Sequence, residues 1–154
     1  MSIPLIEAVR AAFFDAAVRT FGKMTMTPID ALDKAQAGPQ EFEISAVIGF
    51  SGDITGNCAL RLSEQTAREA LSRLAGEPVH EAVDVADGVG ELVNMIAGNA
   101  KAALVDYTLT LSFPQIIRGK GHELSFNRKN GLVDLLFSSD IGAIAVLAAF
   151  TEKG

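Results

Sequence analysis

The chain has 154 residues, of which 49% are apolar, so it can bury the core of one globular domain, and we predict a single domain over residues 1–154. The net charge is −6 and no run of Lys or Arg exceeds two, which argues against nucleic acid or an anionic membrane surface as a partner. Cys58 is the only cysteine, which excludes an intramolecular disulfide and a zinc site built from cysteines. The most apolar stretch, residues 141–150, is about half as long as a membrane-spanning helix. We therefore expect a cytoplasmic protein whose partners are proteins or small molecules.

An amphipathic helix is predicted at the start of the chain. Apolar residues recur there at three- and four-residue steps: Ile6, Val9, Phe13, Ala16, Ala17 and Phe21. Ser2 can cap this helix, Pro4 suits its first turn, and Gly22 would end it. Charged residues interrupt the apolar pattern, so the segment lacks the continuous apolar run of a secretion signal. Residues 28–39 mix Pro, Gly and charged residues, and we interpret them as a connector.

A hairpin and a short helix follow the connector. Apolar and polar residues alternate over residues 42–50, Ser51-Gly52-Asp53 interrupts the pattern, and a second run follows over residues 54–62. Ser63 can cap a short helix whose apolar positions end at Gly76. The order strand, tight turn, strand, helix is therefore predicted for this part of the chain.

A long helix from about Val85 to Leu104 and a group of strands complete the pattern. The strands are expected beyond Pro114, at residues 122–127, 132–137 and 143–151, with Asn130-Gly131 as a tight turn. Hairpin links outnumber strand-helix-strand crossovers in this order. We therefore predict an α+β domain with an antiparallel β-sheet covered by helices on one face.

The long helix has one apolar and one polar face. At about 100° per residue, one stripe contains Val85, Val89, Leu92, Ile96 and Ala103. The opposite face contains Asp87, Glu91, Asn94, Gly98 and Lys101. Glu91 and Asn94 are therefore expected to point side by side into solvent. Taken alone, such a face is most often an ordinary solvated surface.

Four small or polar residues of this helix need an explanation of their own. Gly98 lies on the polar face, where a missing side chain would let another backbone approach. Gly88 and Gly90 weaken the start of the helix, and no packing role for them is evident from the sequence. Asn99 falls within the apolar stripe, where we expect its amide to hydrogen-bond to the backbone in the core.

Three residues of the polar face form a motif. Asp87, Glu91 and Asn94 read D-x-x-x-E-x-x-N, and with the continuation NMIAGNAKAAL and the later LSFPQII the chain resembles the CheX branch of the CheC/CheX/FliY phosphatases. These proteins remove the phosphoryl group from the aspartate of phosphorylated CheY-type response regulators. The resemblance covers nearly the whole chain and is most specific in the helix 85–104 together with Pro114. That proline lies twenty residues past Asn94, whereas in the family the spacing is usually a little over twenty.

The motif occurs once. In the first helix Glu7 is followed three residues later by Arg10, and Asp15 by Val18, so a second copy is absent. CheC proteins have two copies and CheX proteins have one. The resemblance is therefore to the CheX type.

The resemblance implies roles for the residues of the polar face. Asn94 would orient the attacking water, and Glu91 would anchor the helix to the regulator's active-site lysine. Among the partner-binding residues, Gly98 would permit close approach, and Asp87 and Lys101 would lie at the rim, where each could equally be an uninvolved surface charge. No metal or cofactor of the protein's own is expected, and Mg²⁺ would be bound by the partner, a phosphorylated CheY-type response regulator. A homodimer formed through the sheets is also implied, with the apolar strand at residues 143–151 suited to such an edge.

Two alternatives to a phosphatase remain at this point. The same helix could dock on a receiver domain without hydrolysing anything, as a non-catalytic CheX-like binding module. The chain could also be a structural component of a flagellar switch assembly. Retention of both Glu91 and Asn94 favours the phosphatase, because docking alone would not require an amide that places water.

Overall fold

The computed structural model describes residues 3–127, 129 and 131–152. Within them the chain forms four helices: α1 (Leu5–Met24), α2 (Lys34–Ala37), α3 (Glu64–Ala75) and α4 (Ala82–Ala103). The described strands are β1 (Asp30–Ala31), β2 (Ile44–Gly52), β3 (Ile54–Leu62), β4 (Leu109–Leu111), β5 (Gln115–Arg118), β6 (Gly131–Ser138) and β7 (Ile144–Glu152). They form one antiparallel sheet in the order β1-β6-β7-β3-β2-β4, and β5 also pairs with β2. The predicted α+β class is confirmed.

The core lies between the sheet and two long helices. Helix α1 packs against β6 and β7, α4 packs against β2 and β3, and the two helices contact each other. Alternate strand residues such as Ile48, Leu60 and Val146 are fully buried on this side, together with Phe21 of α1 and Leu92 of α4. The sheet is thus covered by helices on one face, as the hairpin-rich pattern predicted. No helix in the described part of the chain is both long and apolar enough to span a bilayer.

The predicted hairpin and short helix are confirmed with their turn chemistry. β2 and β3 pair from Ile44↔Leu62 to Phe50↔Gly56. The turn needs a glycine because Gly52 has φ +124°. The Ser63 hydroxyl accepts a hydrogen bond from the Thr66 amide at 3.0 Å, which caps α3 as expected.

Several boundaries differ from the sequence prediction. Helix α1 continues two residues beyond Gly22 to Met24 and has Pro4 as its N-cap, while Ser2 lies outside the described residues. Residues 28–39 are more than a connector, because they contain β1 and α2. Helix α4 begins at Ala82, three residues before the predicted start.

The later strands were predicted with mixed success. β6 and β7 match the expected strands within one residue, although Asn130 of the predicted turn lies outside the described residues. The short strands β4 and β5 were missed, because three or four residues show too little alternation to detect.

The strand predicted at residues 122–127 is wrong, since this segment has no strand pairing. It lies instead against the sheet face opposite the helices. There the Ser45 hydroxyl lies 2.7 Å from Nε2 of His122, and Arg61 donates to the His122 carbonyl at 3.1 Å. His122, Leu124 and Phe126 are half-buried whereas the residues between them are exposed. The alternation in the sequence therefore comes from packing across the sheet face and not from a hydrogen-bonded ladder.

The position of β7 corrects the proposed dimer edge. The strand at residues 144–152 pairs with β3 on one side and β6 on the other, so it lies inside the sheet. Its apolar character follows from this central position. Residues 143–151 therefore offer no row of unpaired backbone groups for edge-to-edge association.

Candidate active site

Helix α4 presents the motif on its exposed face. Asp87, Glu91 and Asn94 are all exposed, whereas Leu92 and Ile96 on the opposite side are completely buried. Residues three apart on a helix are neighbours, with Cβ atoms about 5–6 Å apart, so the carboxylate and the carboxamide stand side by side. Packing of the apolar stripe fixes the rotation of the helix and thereby the direction of both groups.

A groove of about 590 Å³ runs along this face of α4. Its lining consists of Ala86, Asp87, Gly90, Glu91, Asn94, Leu111, Ser112, Phe113, Pro114 and Ile116. One side is thus the polar face of the helix, and the other side is the chain from the end of β4 to β5. Pro114, which lies twenty residues past Asn94 in the sequence, lines the same groove as Glu91 and Asn94.

The wall opposite the helix is held by β2. The Ser112 amide donates to the Gly49 carbonyl at 2.9 Å, and the Gly49 amide donates to the Ser112 hydroxyl oxygen at 2.8 Å. Phe113 and Pro114 interrupt the pairing with β2, which resumes where Gln115 pairs with Val47. Both ends of the two-residue interruption are therefore attached to the same strand, which positions Phe113 and Pro114 between them.

Two glycines of α4 differ in the space that surrounds them. A Cβ atom on Gly90 would lie 3.5 Å from Cγ of Pro114, an ordinary van der Waals distance, so the wall at this point leaves room for a small side chain. A Cβ atom on Gly88 would lie 2.4 Å from Cδ2 of Leu71, a buried residue of α3. The interpretation that these glycines have no packing role is therefore wrong for Gly88, which makes room for α3.

The start of α4 is tied to α3 and β5 by one arginine. Arg118 donates to both carboxylate oxygens of Glu64, at 2.6 and 3.0 Å, and to the Ala82 carbonyl at 2.7 Å. The hydrogen bond from Arg118 lowers the pKa of Glu64 below its ordinary value. This link fixes the first turn of α4, whose N-cap residue Glu81 makes no side-chain cap.

Two predictions about the buried side of α4 are wrong. Asn99 is exposed, and its amide donates to the Thr20 hydroxyl of α1 at 3.2 Å instead of bonding to backbone in the core. Ala103 is also exposed. Ala100 and Leu104 remain buried, so the last turns of α4 are still packed, and Asn99 and Ala103 lie outside that buried face.

The groove is acidic and contains no basic side chain among its described lining residues. Asp87 and Glu91 both contribute carboxylates, so a free phosphate ion would be repelled. A partner group that carries its own cation would be attracted. The electrostatics therefore suit a positively charged side chain of another protein, such as a lysine.

The predicted site residues fall into two groups. Asp87, Glu91 and Asn94 line the groove together with Pro114. Gly98 is half-buried with open space beyond its Cα, and Lys101 lies one turn further along. These last two share the face of the helix but do not line the groove. The sequence LSFPQII was noted for the resemblance, but no site role was assigned to Leu111 or Phe113, because an apolar residue carries no local signal of a groove wall.

A model of one protein family covers most of this region. Residues 44–138, more than half of the chain, match the family described as chemotaxis phosphatase CheX. The chain belongs to the CheX family. The matched region contains all of α4 and both walls of the groove. No curated protein sequence matches the chain.

Solved CheX-type structures have the same fold. A putative chemotaxis protein from Desulfovibrio vulgaris Hildenborough is 26% identical, with a TM-score of 0.80 over 97% of this chain and 100% of its own. A CheX protein from Desulfovibrio desulfuricans is 24% identical, with a TM-score of 0.80 over 93% of this chain and 99% of its own. CheX from Borrelia burgdorferi, solved as a complex with CheY, BeF3 and Mg²⁺, is 20% identical with a TM-score of 0.68, over 92% of this chain and 97% of its own.

Proposed function

We propose that the protein hydrolyses the aspartyl phosphate of a CheY-type response regulator in the cytoplasm, with Glu91 and Asn94 as its active-site pair. The observation that supports the proposal best is the placement of these two exposed side chains in one groove with Pro114. Membership of the CheX family supports the same reaction. The complex between the Borrelia burgdorferi CheX and CheY supports a receiver domain as the partner.

Asn94 is assigned the orientation of the attacking water. An aspartyl phosphate is an acyl phosphate, so its hydrolysis needs a water placed in line with the leaving carboxylate more than it needs a strong base. The water oxygen forms a bond to phosphorus, the bond from phosphorus to the aspartate oxygen breaks, and inorganic phosphate leaves. A carboxamide can accept a hydrogen bond from the water and donate one to a phosphoryl oxygen at the same time.

Glu91 is assigned the anchoring of the complex. A carboxylate in this position can form a charge-assisted hydrogen bond with a lysine beside the partner's phosphorylation site. Because Glu91 and Asn94 are neighbours on one rigid helix, that contact would also set the position of the carboxamide relative to the phosphorus atom. Asp87 adds negative charge at the same end of the groove.

The positive charge needed for phosphoryl transfer is assigned to the partner. The Borrelia burgdorferi CheY complex contains Mg²⁺, and the proposed reaction here uses a Mg²⁺ held by the response regulator. A metal spreads the charge that develops on the phosphoryl oxygens. The acidic groove of this protein then contributes placement and docking without a cation of its own.

A non-catalytic binding module is the second candidate. The groove would serve docking equally well if only Glu91 and Asp87 were needed. An exposed carboxamide at position 94, aligned with the carboxylate, favours catalysis, since docking on a cationic group does not require it.

The experiment that separates these functions follows the lifetime of the phosphoryl group. Purified full-length protein is mixed with a panel of CheY-type receiver domains that have been phosphorylated by a small-molecule phosphodonor in Mg²⁺. A phosphatase at catalytic concentration shortens the lifetime for at least one receiver and releases inorganic phosphate over many turnovers. A binding module forms a complex but leaves the lifetime unchanged or longer, and that result would refute the proposal.

A further inference from the structure

Phe113 is the most exposed large apolar side chain in the described part of the chain, with 93% of its surface open to solvent. It lies in the wall of the groove, across from the helix that carries Asn94. An aromatic side chain is among the largest sources of apolar burial at interfaces, and Phe113 lies beside the apolar residues Leu111 and Ile116 of the same wall. Because Phe113 lies beside the proposed active site, its exposed ring is available to a protein that docks in the groove.

The backbone on both sides of Phe113 is already fixed. Ser112 exchanges two hydrogen bonds with Gly49, and Pro114, whose ring restricts its own backbone, lies across from Gly90 of α4. Binding therefore has to restrict only the two side-chain torsions of the phenyl ring. A rigidly presented aromatic residue contributes more to affinity than a flexible one, because little conformational entropy is lost.

The groove consequently has two chemically distinct sides. The helix side presents the carboxylates of Asp87 and Glu91. The wall presents Phe113 with the half-buried Leu111 and Ile116. A partner that matches both sides carries a cation in its cleft and an apolar patch next to that cleft.

We propose that Phe113 is the anchor that determines affinity and receiver specificity at this site. The ring packs on an apolar patch of the receiver domain next to its phosphoaspartate, and receivers with a polar patch there are disfavoured. This inference rests on the proposed function, since it assigns the partner surface that the same groove recognises. Phe113 acts through binding and takes no part in bond making or breaking.

The test compares steady-state kinetics of Phe113→Ala with those of the wild type on the phosphorylated receiver that the wild type dephosphorylates best. We expect KM to rise by at least about tenfold, which corresponds to about 1.4 kcal/mol of lost binding. The value of kcat should stay within about twofold of that of the wild type. Phe113→Leu should fall between the two. Val105→Ala is the matched control, because Val105 is 82% exposed and does not line the groove.

A binding measurement separates this inference from the proposed function. The same receivers, activated by beryllofluoride and Mg²⁺ without any turnover, are titrated with wild type, Phe113→Ala and Asn94→Ala. We expect Phe113→Ala to bind at least about tenfold more weakly and Asn94→Ala to bind like the wild type.

The possible outcomes distinguish the anchoring role of Phe113 from the phosphatase activity. If Phe113→Ala binds the receiver with wild-type affinity and has the wild-type KM, the anchoring role of Phe113 is wrong, while the proposed phosphatase function is unaffected. A reduced kcat with unchanged KM would also overturn the anchoring role, because Phe113 would then act on the chemistry. Binding that depends on Phe113 without any phosphate release by the wild type would support the anchor and refute the phosphatase. Absence of binding to every receiver would overturn both.

Discussion

Leu71 of α3 occupies the space that a side chain at position 88 of α4 would need, since a Cβ atom on Gly88 would lie 2.4 Å from its Cδ2 atom. Leu71 is only 3% exposed, so it has little room to move aside. At Gly98, ten residues along the same helix, no heavy atom of the described residues lies within 4 Å of the corresponding position, apart from the neighbouring backbone of α4 itself. The two glycines therefore have different physical roles although both lie inside a helix.

This difference predicts opposite effects of the same substitution. Gly98→Ala should raise the free energy of unfolding by up to about 1 kcal/mol, because alanine restricts the unfolded chain and favours the helix. Gly88→Ala gains the same helix preference but should be destabilising overall, because overpacking a buried contact costs about 1–3 kcal/mol. Urea unfolding of both variants measures the difference, and equal shifts in the two variants would contradict the packing described for Gly88.

The ion pair between Glu64 and Arg118 predicts a pH dependence of stability. Because Arg118 holds the pKa of Glu64 below its ordinary value of 4.5, the pair stabilises the fold above that pH. The contribution is lost as the pH falls from about 4.5 through the lowered pKa of the folded state, where the carboxylate becomes protonated. A partly exposed pair of this kind is worth up to about 1 kcal/mol.

Glu64→Gln should therefore be less stable than the wild type at pH 7, and the difference should shrink as the pH falls below about 4.5. Thermal unfolding across this range measures it. Glu77→Gln on the exposed surface after α3 is the control and should show a smaller effect at pH 7. A difference between wild type and Glu64→Gln that stays constant down to low pH would show that the ion pair does not contribute.

The assigned role of Glu91 predicts a loss of binding that depends on charge. Glu91→Ala should reduce both affinity and rate. Glu91→Gln keeps the shape but removes the charge, so it should weaken binding to a beryllofluoride-activated receiver by at least about tenfold, or about 1.4 kcal/mol. Asp84→Asn removes a charge from the same helix outside the groove and should have little effect. Wild-type affinity in Glu91→Gln would rule out the anchoring role.

The resemblance to CheX proteins predicts a homodimer, but not through the strand first suggested. β7 has a hydrogen-bonded neighbour on each side, so association through the sheet must use another strand. The edge strand β1 is the candidate, because it lies at the end of the sheet away from the groove wall formed by β4 and β5. Light scattering of the purified protein at working concentration should give twice the mass of one chain. A monomeric mass under these conditions would contradict the prediction.

The parts of the fold that were predicted correctly have strong local signals. The hairpin has a clear period-two pattern around Gly52, and α3 has a capping serine at Ser63 and a left-handed glycine at Gly76. The segment 122–127 carries an equally clear alternation, yet it packs across the sheet without pairing. Periodicity reports which side chains face an apolar surface, and it cannot distinguish these two arrangements.

The site was predictable only in part for a similar reason. The exposure of Glu91 and Asn94 follows from the period of α4, because the packed face of one helix fixes the other face. The wall with Phe113 depends on pairing between β2 and the chain around residue 113, which are far apart in sequence. The space that Gly88 leaves for Leu71 is likewise a long-range contact. Contacts of this kind have no local signature.

The central claim, that the exposed carboxamide of Asn94 places the attacking water, is tested most directly by the phosphoryl lifetime of a receiver saturated with Asn94→Ala. The variant should keep the wild-type melting temperature, since the side chain is exposed, and should still bind the receiver. We predict that the phosphoryl group then decays at the rate of the receiver alone. Decay at the wild-type enzyme's rate in the complex with Asn94→Ala would contradict the claim.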